Sequence, residues 1–334
     1  MAARRHFLRA FGLSLALALG ASGFACKKKE GGSQLKIAVI PKGTTHEFWK
    51  AVHAGAAKAG QESNVEIIWK GPLKEDDLKE QIDIVQSFTA QGVSGIVLAP
   101  LNDKALSKSV KDATNSNVPV LVFDSDLQGD DHVAFVATDN FAAGKLAGEE
   151  MAKLLGDKGN VVVLRYQESS ASTQNRENGF LDAIKAHSGI TVVSDNQYGG
   201  ATTETSKSKS ESLLSAQKAD KDQVQGIFCP NESTTFGMLL ALRGMGLSGK
   251  IKFIGFDSSD KLLEGISAGE VHGLVLQDPF KMGYLAVKTL VDKLQGKSIE
   301  KRIDTGAKFL TKANLDQPEM KELLHPDLAK WIGG

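Results

Sequence analysis

Short apolar runs alternate with amphipathic stretches along most of the chain. The first run is Ile37 to Ile40, and the apolar residues that follow it at helical spacing are Phe48, Val52, Ala56 and Ala59. A short continuous apolar run is typical of a parallel strand that is buried on both faces, and the helical spacing is typical of a helix with one apolar face. The alternation therefore predicts an α/β fold in which helices cover parallel sheets.

Ten apolar runs are predicted to be strands. They span residues 37–40, 65–69, 95–99, 118–124, 133–137, 160–165, 190–195, 225–230, 251–257 and 272–277. Ten strands approach the upper limit of one open sheet, so we divide them between two lobes. The charged last segment, residues 312–334, contains Pro318 and Pro326 and is predicted to form short helices on the surface.

Length and charge narrow the classes of function. A chain of 334 residues can form two lobes, each with its own core. Its 40 basic and 40 acidic residues balance, so charge gives no reason to expect a nucleic-acid partner. Any selectivity is expected to come from a local site.

The amino terminus has the pattern of an export signal over residues 1–25. Arg4, Arg5 and Arg9 precede an apolar run that is too short to span a membrane, and Arg4-Arg5 resembles a twin-arginine motif. Residues 23–26 resemble a bacterial lipobox, which predicts lipidation of Cys26 and a solvated linker over 26–34. The alternative is an export signal without a lipid and with an incidental cysteine.

The other cysteine, Cys229, lies in an apolar run and is predicted to be a small buried hydrophobic residue. Once Cys26 is acylated, no internal disulfide can form. A catalytic role for Cys229 would need a neighbouring base, and the sequence suggests none.

Three motifs suggest other chemistry. Residues 244–250 match glycine-rich nucleotide-binding patterns, but they follow a predicted helix and precede a strand, the reverse of the order that phosphate binding needs. Ser267 lies in a Gly-x-Ser-x-Gly sequence with the same reversed order, which argues against a nucleophile elbow. The acidic residues 124–131 lack the spacing of a calcium loop, and no histidine pair has zinc spacing, so no metal is expected.

Seven blocks, in this order and spacing, resemble the periplasmic sugar-binding proteins of ABC importers, specifically the ribose-type family. They are Phe48-Trp49, 122–124, 137–140 with Gly144, 176–180, 229–232, 254–257 and 276–279. The resemblance implies two doubly wound parallel-sheet lobes joined by a three-strand hinge near Asp139, Gln277 and Asp304. It divides the chain into residues 35–139 with 278–304 in the N-terminal lobe and 140–277 with 305–311 in the C-terminal lobe.

The resemblance also implies a ligand site between the lobes. Phe48 and Trp49 would stack on a sugar ring, and polar residues would bind its hydroxyls. The complete set of expected ligand-binding residues is His46, Phe48, Trp49, Asp124, Ser125, Arg176, Tyr198, Asn231, Asp257 and Gln277. Ser125 stands where ribose binders of the family commonly have Arg, which weakens the case for ribose itself.

Several of these residues also have structural interpretations. Phe48 shares the apolar stripe of its helix and could belong to the core, and Arg176 could lie on a helix surface. Asn231 and Asp257 could cap helices, and Asp124 could be a turn residue. Their joint position at strand ends favours a binding site.

We expect a non-enzymatic, lipid-anchored periplasmic receptor that captures a monosaccharide or polyol and delivers it to an ABC permease and ATPase complex. We expect it to be a monomer without a cofactor. One alternative is a ligand sensor for a chemoreceptor or kinase, or a binder of a nucleoside or signalling furanone. A secreted serine hydrolase that uses Ser267 is a third possibility.

Overall fold

The computed structural model describes residues 34–333, which form two α/β lobes built on two six-stranded sheets. Strands β1 to β5 and β11 belong to the first lobe, and β6 to β10 and β12 belong to the second. The elements, in order, are β1 (Lys36–Ile40), α1 (Glu47–Ser63), β2 (Glu66–Trp69), α2 (Leu78–Gln91), β3 (Gly95–Leu98), α3 (Ser107–Asn115), β4 (Val120–Phe123), β5 (Phe135–Ala137), α4 (Asn140–Leu155), β6 (Gly159–Arg165), α5 (Ala171–Ile184), β7 (Ile190–Tyr198), α6 (Thr203–Ala216), β8 (Gly226–Phe228), α7 (Glu232–Gly244), β9 (Lys252–Phe256), α8 (Asp260–Ser267), β10 (Gly273–Leu276), α9 (Pro279–Leu294), β11 (Arg302–Asp304), β12 (Lys308–Leu310), α10 (Pro318–Leu324) and α11 (Ala329–Ile332).

The two sheets share one topology. The first has the order β11-β5-β4-β3-β1-β2 and the second the order β12-β10-β9-β8-β6-β7. Strand β1 is central, with Val39 paired to Trp69 on β2 and to Val97 on β3. The pairings are parallel except that β12 runs antiparallel to β10. The expected fold class of two parallel-sheet lobes is confirmed.

All ten predicted strands are present, but β11 and β12 were not predicted. Each of these two strands has three residues and forms one edge of a sheet. Both are partly exposed and begin with a charged residue, so neither forms the continuous apolar run that reveals the equally short but buried strands β5 and β8.

The chain crosses between the sheets three times within the described range. The crossings follow β5, β10 and β11, where Asp139, Gln277 and Asp304 lie. Two crossings are bonded to each other, since Asp304 Oδ1 accepts hydrogen bonds from the backbone N–H groups of Asp139 (3.0 Å) and Gly306 (2.8 Å). Three adjacent strands of chain can act as a hinge between lobes.

Each sheet is covered by helices on both faces. In the first lobe, apolar residues of α1 and α9 pack on one face and those of α2 and α3 on the other. In the second lobe, α4 and α5 cover one face and α6, α7 and α8 the other, with Met320 of α10 buried in the same cluster. The predicted tail helices are therefore present, and one of them contributes to a core.

Glycines let paired helices approach closely. A methyl group at Gly144 of α4 would overlap the backbone carbonyl of Arg176 on α5, and one at Gly179 would overlap the carbonyl of Phe141. Gly148 of α4 likewise lies against Ala183 and the carbonyl of Phe180 on α5. This packing fixes the part of α5 that carries Arg176.

Candidate ligand-binding site between the lobes

The site lies where the carboxyl ends of both sheets face each other. In each sheet the strand order reverses beside the first strand of the lobe, β1 or β6, and open α/β sheets bind ligands at such switch points. Phe48 and Trp49 are in the first turn of α1, directly after β1. Arg176 is on α5, the helix that follows β6.

Two aspartates that follow strands have unusual backbone angles. Asp124 after β4 has φ 61° and Asp257 after β9 has φ 67°. Aspartate tolerates the left-handed region better than most residues, and such conformations concentrate at functional sites. The turns direct both carboxylates into the same buried region, since both residues line one cavity.

This cavity, which we call the interlobe cavity, has a volume of about 30 Å³ and is partly open to solvent. Its lining residues are Lys42, His46, Phe48, Trp49, Glu75, Asp124, Tyr166, Ser172, Thr173, Arg176, Asn231, Glu232, Asp257 and Gln277. Eight of the ten expected ligand-binding residues are in this set.

Ser125 and Tyr198 are not among the lining residues. The Ser125 side chain is buried, and its Oγ accepts a hydrogen bond from the backbone N–H of Ser172 in the other lobe (3.1 Å). Tyr198 is the last residue of β7, where it pairs with Arg165 of β6 at the edge of the second sheet. The structure therefore places Ser125 at the contact between the lobes and Tyr198 in sheet pairing.

The aromatic residues form a connected group. The Phe48 and Trp49 rings are in edge-to-face contact, with centroids 4.8 Å apart, and Trp49 makes a similar contact with Phe123 at 6.1 Å. Phe48 and Trp49 also belong to the core cluster of the first lobe. Phe48 therefore belongs to the core of the first lobe, as one interpretation of the sequence held, and it also lines the interlobe cavity.

Three buried ion pairs line the interlobe cavity. Lys42 Nζ lies 2.9 Å from Asp124 Oδ2, and His46 Nδ1 lies 2.7 Å from Glu75 Oε1. Arg176 Nη1 lies 3.9 Å from Asp257 Oδ2. Because burial without a partner is costly for a charge, this pairing allows the charged groups to remain inside.

The pairs shift the ionisation of their members. Burial by itself would lower the pKa of His46, but the Glu75 carboxylate outweighs it and raises that pKa to about 9. Burial likewise opposes ionisation of Glu75, but His46, Lys42 and the Tyr166 hydroxyl lower its pKa to about 2. Burial raises the pKa of Asp257 above its usual value, an effect that Arg176 and Gln277 partly offset.

Arg176 is held on three sides. Its Nε donates to Asn140 Oδ1 (2.7 Å), its Nη1 donates to the carbonyl of Pro230 (3.0 Å), and its guanidinium lies 4.0 Å from the centroid of the Phe256 ring. The alternative that Arg176 lies on a helix surface is wrong, because its side chain is 2% exposed. A guanidinium fixed in this way can donate in a set direction.

Two polar atoms that are buried at the cavity lack partners. Arg176 Nη2 and Gln277 Oε1 are both buried without a hydrogen bond within residues 34–333. Gln277 Nε2 is occupied, since it donates to Asp257 Oδ1 at 2.7 Å. An unpaired buried donor or acceptor is costly, so a free donor and a free acceptor on one cavity indicate a ligand group that both accepts and donates.

Asn231 caps α7, because its Oδ1 accepts from the N–H of Thr234 (3.3 Å), as one interpretation of the sequence held. It also lines the interlobe cavity. Asp257 is not a helix cap. Its Oδ2 accepts from the N–H of Glu232, and Ser259 caps the following helix.

Six lining residues were not predicted from the sequence: Lys42, Glu75, Tyr166, Ser172, Thr173 and Glu232. Tyr166 directly follows β6 and Glu232 directly follows Asn231, so the rule that ligands gather at strand ends could have identified both. Glu75 lies in the loop between β2 and α2, whose charged sequence is typical of a solvated segment. Its partners come from distant parts of the chain, and no sequence signal could have found it.

Polar contacts join the lobes around the cavity. Lys42 Nζ donates to Ser172 Oγ (2.9 Å), and the Tyr166 hydroxyl donates to Glu75 Oε2 (2.5 Å). Glu232 of the second lobe accepts from the backbone N–H groups of Glu47 (3.4 Å) and Phe48 (3.3 Å), at the amino terminus of α1. A carboxylate is favourable at a helix amino terminus.

The motifs that suggested other chemistry are structural. Residues 245–251 connect α7 to β9, and Ser267 is the last residue of α8, where its hydroxyl donates to the carbonyl of Leu263 (2.9 Å). Cys229 is fully buried in the second core, as predicted, and burial raises the pKa of its thiol well above the usual value. Among the described residues there is no cluster of three or more His, Cys, Asp and Glu side chains that could hold a metal ion.

The first 33 residues, which include Cys26 and the expected export signal, lie outside the described part of the chain. Within residues 34–333, no helix is both long and apolar enough to cross a membrane.

Comparison with known proteins places this arrangement in a family. The model of the periplasmic binding protein domain matches residues 37–298, which is most of the chain. The chain belongs to the periplasmic binding protein family. The resemblance drawn from the sequence motifs is confirmed.

Relatives and solved structures of this periplasmic binding protein family share most of their length with the chain. The ribose import binding protein of Haemophilus influenzae is 25% identical over 279 residues, covering 84% of this chain and 92% of that protein. A carbohydrate transporter solute-binding protein from Agrobacterium radiobacter, solved with D-arabinose, has a TM-score of 0.83 and 34% identity, covering 88% of this chain and 99% of that one. A solute-binding protein from Agrobacterium vitis, solved with D-fucose, has a TM-score of 0.83 and 35% identity, covering 87% and 100%.

Proposed function

We propose that this periplasmic binding protein captures a neutral monosaccharide in the interlobe cavity and delivers it to an ABC permease. The observation that carries the proposal is the pair of buried, unpartnered atoms, Arg176 Nη2 and Gln277 Oε1. A sugar hydroxyl accepts and donates, so one hydroxyl or two adjacent ones can satisfy both atoms. The aromatic rings of Phe48 and Trp49 offer apolar surface to the C–H groups of a sugar.

Charge balance supports a neutral ligand. The cations of the lining, Lys42, His46 and Arg176, are each paired with a carboxylate. A phosphorylated or acidic sugar would bring a further negative charge into a cavity whose cations already have partners, and its burial would not be compensated.

Relatives support the same class of ligand. Similar proteins include binding proteins for ribose, D-allose and fructose, and similar solved structures hold D-arabinose and D-fucose. The lining residues act by binding and orientation in this proposal, and no turnover of the ligand is expected.

A ligand screen tests the proposal. We expect one or more of D-arabinose, D-fucose, D-ribose and D-allose to raise the melting temperature of the protein, since a ligand that binds the folded state stabilises it by mass action. Ribose 5-phosphate and gluconate should leave it unchanged. A larger shift with the charged compounds or with nucleosides, or no shift with any neutral sugar, would contradict the proposal.

Variants locate the binding site. Gln277→Ala and Arg176→Gln should each weaken the binding of the best sugar by about tenfold or more, since each removes a buried hydrogen-bonding partner of the ligand. Arg243→Gln is the matched control, because Arg243 is paired with Glu270 and partly exposed, away from the cavity lining. Calorimetric titration of the three variants measures the difference. Equal affinity for Arg176→Gln and the control would place the ligand elsewhere.

We also propose that the protein is a monomer held at the periplasmic face of the membrane through a lipid on Cys26, after export by the twin-arginine route. The lipobox-like sequence at residues 23–26 and the arginine pair near the amino terminus support this. The mass of the amino-terminal peptide from the native host tests the lipid, and a Cys26→Ser variant that stays in the membrane fraction would contradict it.

A further inference from the structure

Glu75 joins the aromatic part of the cavity to the opposite lobe. Its Oε1 accepts from Trp49 Nε1 (2.6 Å) and lies 2.7 Å from His46 Nδ1, all within the first lobe. Its Oε2 accepts from the hydroxyl of Tyr166, which follows β6 in the second lobe. One buried carboxylate therefore contacts the indole that lines the cavity and also the residue that meets it across the cleft.

We infer that Glu75 is a positioning residue for ligand capture, which fixes the Trp49 indole and links its position to lobe closure through the Tyr166 hydroxyl. The inference rests on the proposed function, because it explains how the cavity is completed around a sugar. Glu75 acts here through its neighbours and not through its own contact with the ligand.

The surrounding backbone holds Glu75 against the first lobe with little spare room. A methyl group at Gly43 would lie 2.8 Å from Glu75 Cγ, closer than carbon atoms pack, so only glycine fits there without a shift. Asp77 caps the next helix through the N–H of Glu80 (2.9 Å), which anchors the end of the loop. Glu75 itself is 7% exposed. The loop is thus fixed on both sides of the carboxylate.

Both oxygens of Glu75 accept hydrogen bonds in the structure, as an ionised carboxylate does. Trp49 Nε1 can only donate, so Glu75 must present an acceptor to it, and the second oxygen accepts from Tyr166. A glutamine keeps an acceptor for Trp49 and an NH₂ group that can donate to the Tyr166 hydroxyl, whereas Glu75→Leu removes both partners. Hydrogen bonds to a charged group are stronger than those between neutral groups, and burial strengthens them further.

The contact with Tyr166 depends on the lobes being together. Glu75 and Tyr166 are carried by different sheets, and the chain between the sheets crosses at the hinge. An interaction that exists only in the closed form lowers the free energy of that form relative to the open one. A ligand that binds the closed form then binds more tightly, because less free energy is needed to close the lobes. Loss of the Tyr166 hydroxyl should therefore weaken binding without changing which sugar is preferred.

The experiment compares two Tyr→Phe variants. Tyr166→Phe should weaken the binding of each neutral sugar that binds the wild type, among D-arabinose, D-fucose, D-ribose and D-allose, by about tenfold, with the order of preference kept. Tyr284→Phe is the matched control, since the Tyr284 hydroxyl donates to Glu62 on the surface (2.8 Å), and its affinity should equal that of the wild type. Unchanged affinity of Tyr166→Phe, or a changed order of preference, would overturn the inference.

A double-mutant cycle separates positioning from a general loss of stability. If Tyr166 acts through Glu75, the variant Glu75→Leu with Tyr166→Phe should bind no more weakly than Glu75→Leu alone, because leucine offers the hydroxyl no hydrogen-bond partner. Fully additive losses would contradict the coupling.

A measurement without ligand keeps this inference distinct from the proposed function. The indole N–H of Trp49 in the free protein should exchange with solvent faster in Glu75→Leu than in the wild type, because its bond to Glu75 lies within the first lobe and does not need closure. If no neutral sugar binds the wild type, the proposed function fails while this comparison still decides whether Glu75 fixes the indole. Equal exchange of this N–H in Glu75→Leu and the wild type would overturn the inference.

Discussion

At the scale of single residues, the cavity depends on groups whose ionisation the fold controls. Glu232 illustrates this control, because its carboxylate lies at the amino terminus of α1 from the opposite lobe. Burial raises the pKa of Glu232 to about 7, and His46 offsets part of that rise while Asp257 adds to it. The contact between the lobes at this point is therefore sensitive to pH.

Replacement of Glu232 by Gln should stabilise the folded protein at pH 8 and have little effect at pH 4.5. A carboxyl group whose pKa is raised on folding favours the folded state below its unfolded pKa of about 4.5, and that advantage is lost as the pH rises through about 7. The amide never ionises, so the variant avoids this loss. Melting temperatures of both proteins from pH 4.5 to 8 measure the effect.

Glu322→Gln on the exposed face of α10 provides the control for that comparison. It should follow the wild-type pH dependence throughout. A Glu232→Gln protein that is less stable than the wild type at pH 8 would contradict this prediction. It would show that the ionised carboxylate stabilises the end of α1 by more than its burial destabilises the folded state.

At the scale of elements, the position of Arg176 depends on the contact between α4 and α5. The helices approach closely at Gly144, which lies against the backbone of Arg176, and at Gly179, which lies against Phe141. Asn140, the first residue of α4, accepts from Arg176 Nε and donates to the carbonyl of Asp124 in the first lobe (3.3 Å). The helix pair therefore sets the direction of the guanidinium.

Gly144→Ala should separate α4 from α5, lower the free energy of unfolding by about 1–3 kcal/mol as overpacked cores do, and weaken sugar binding by displacing Arg176. Denaturant unfolding and calorimetric titration measure the two effects. Gly244→Ala is the control, because a methyl group at this end of α7 would meet only Glu211 at 3.9 Å. That change should leave stability equal or higher, since Ala favours a helix by about 1 kcal/mol over Gly. Equal stability of the two variants would contradict the close packing at Gly144.

At the scale of the whole molecule, the tail of residues 312–333 contacts both lobes. Met320 of α10 is buried in the core of the second lobe, with Leu315, Leu323 and Leu324 packed against the same cluster. Helix α11 contacts α1 of the first lobe, where the Trp331 ring lies 5.9 Å from Lys58 Nζ. The tail therefore bridges the two lobes.

A chain that ends at Leu324 should therefore open more readily. We expect a larger radius of gyration of the ligand-free protein in X-ray scattering and a weaker affinity for sugar, because the closed form loses contacts that the open form lacks. The second lobe should stay folded, since Met320 is retained. A chain that lacks only Gly333 and Gly334 serves as control. Identical scattering of the two shortened chains would show that α11 does not restrain the lobes.

The sequence by itself determined the class of fold and much of the site. Buried parallel strands read as continuous apolar runs, so β1 to β10 could be located, and side chains such as Asp124 and Gln277 stood out because they follow those runs directly. The tertiary structure decided what local pattern cannot encode. The edge strands β11 and β12 are partly exposed and begin with a charged residue, so no continuous apolar run marks them. The partners of Glu75 are 26 to 91 residues away along the chain. Burial, ion pairing and contact across the cleft arise only when distant segments meet, because their energies depend on the surroundings that the whole fold provides.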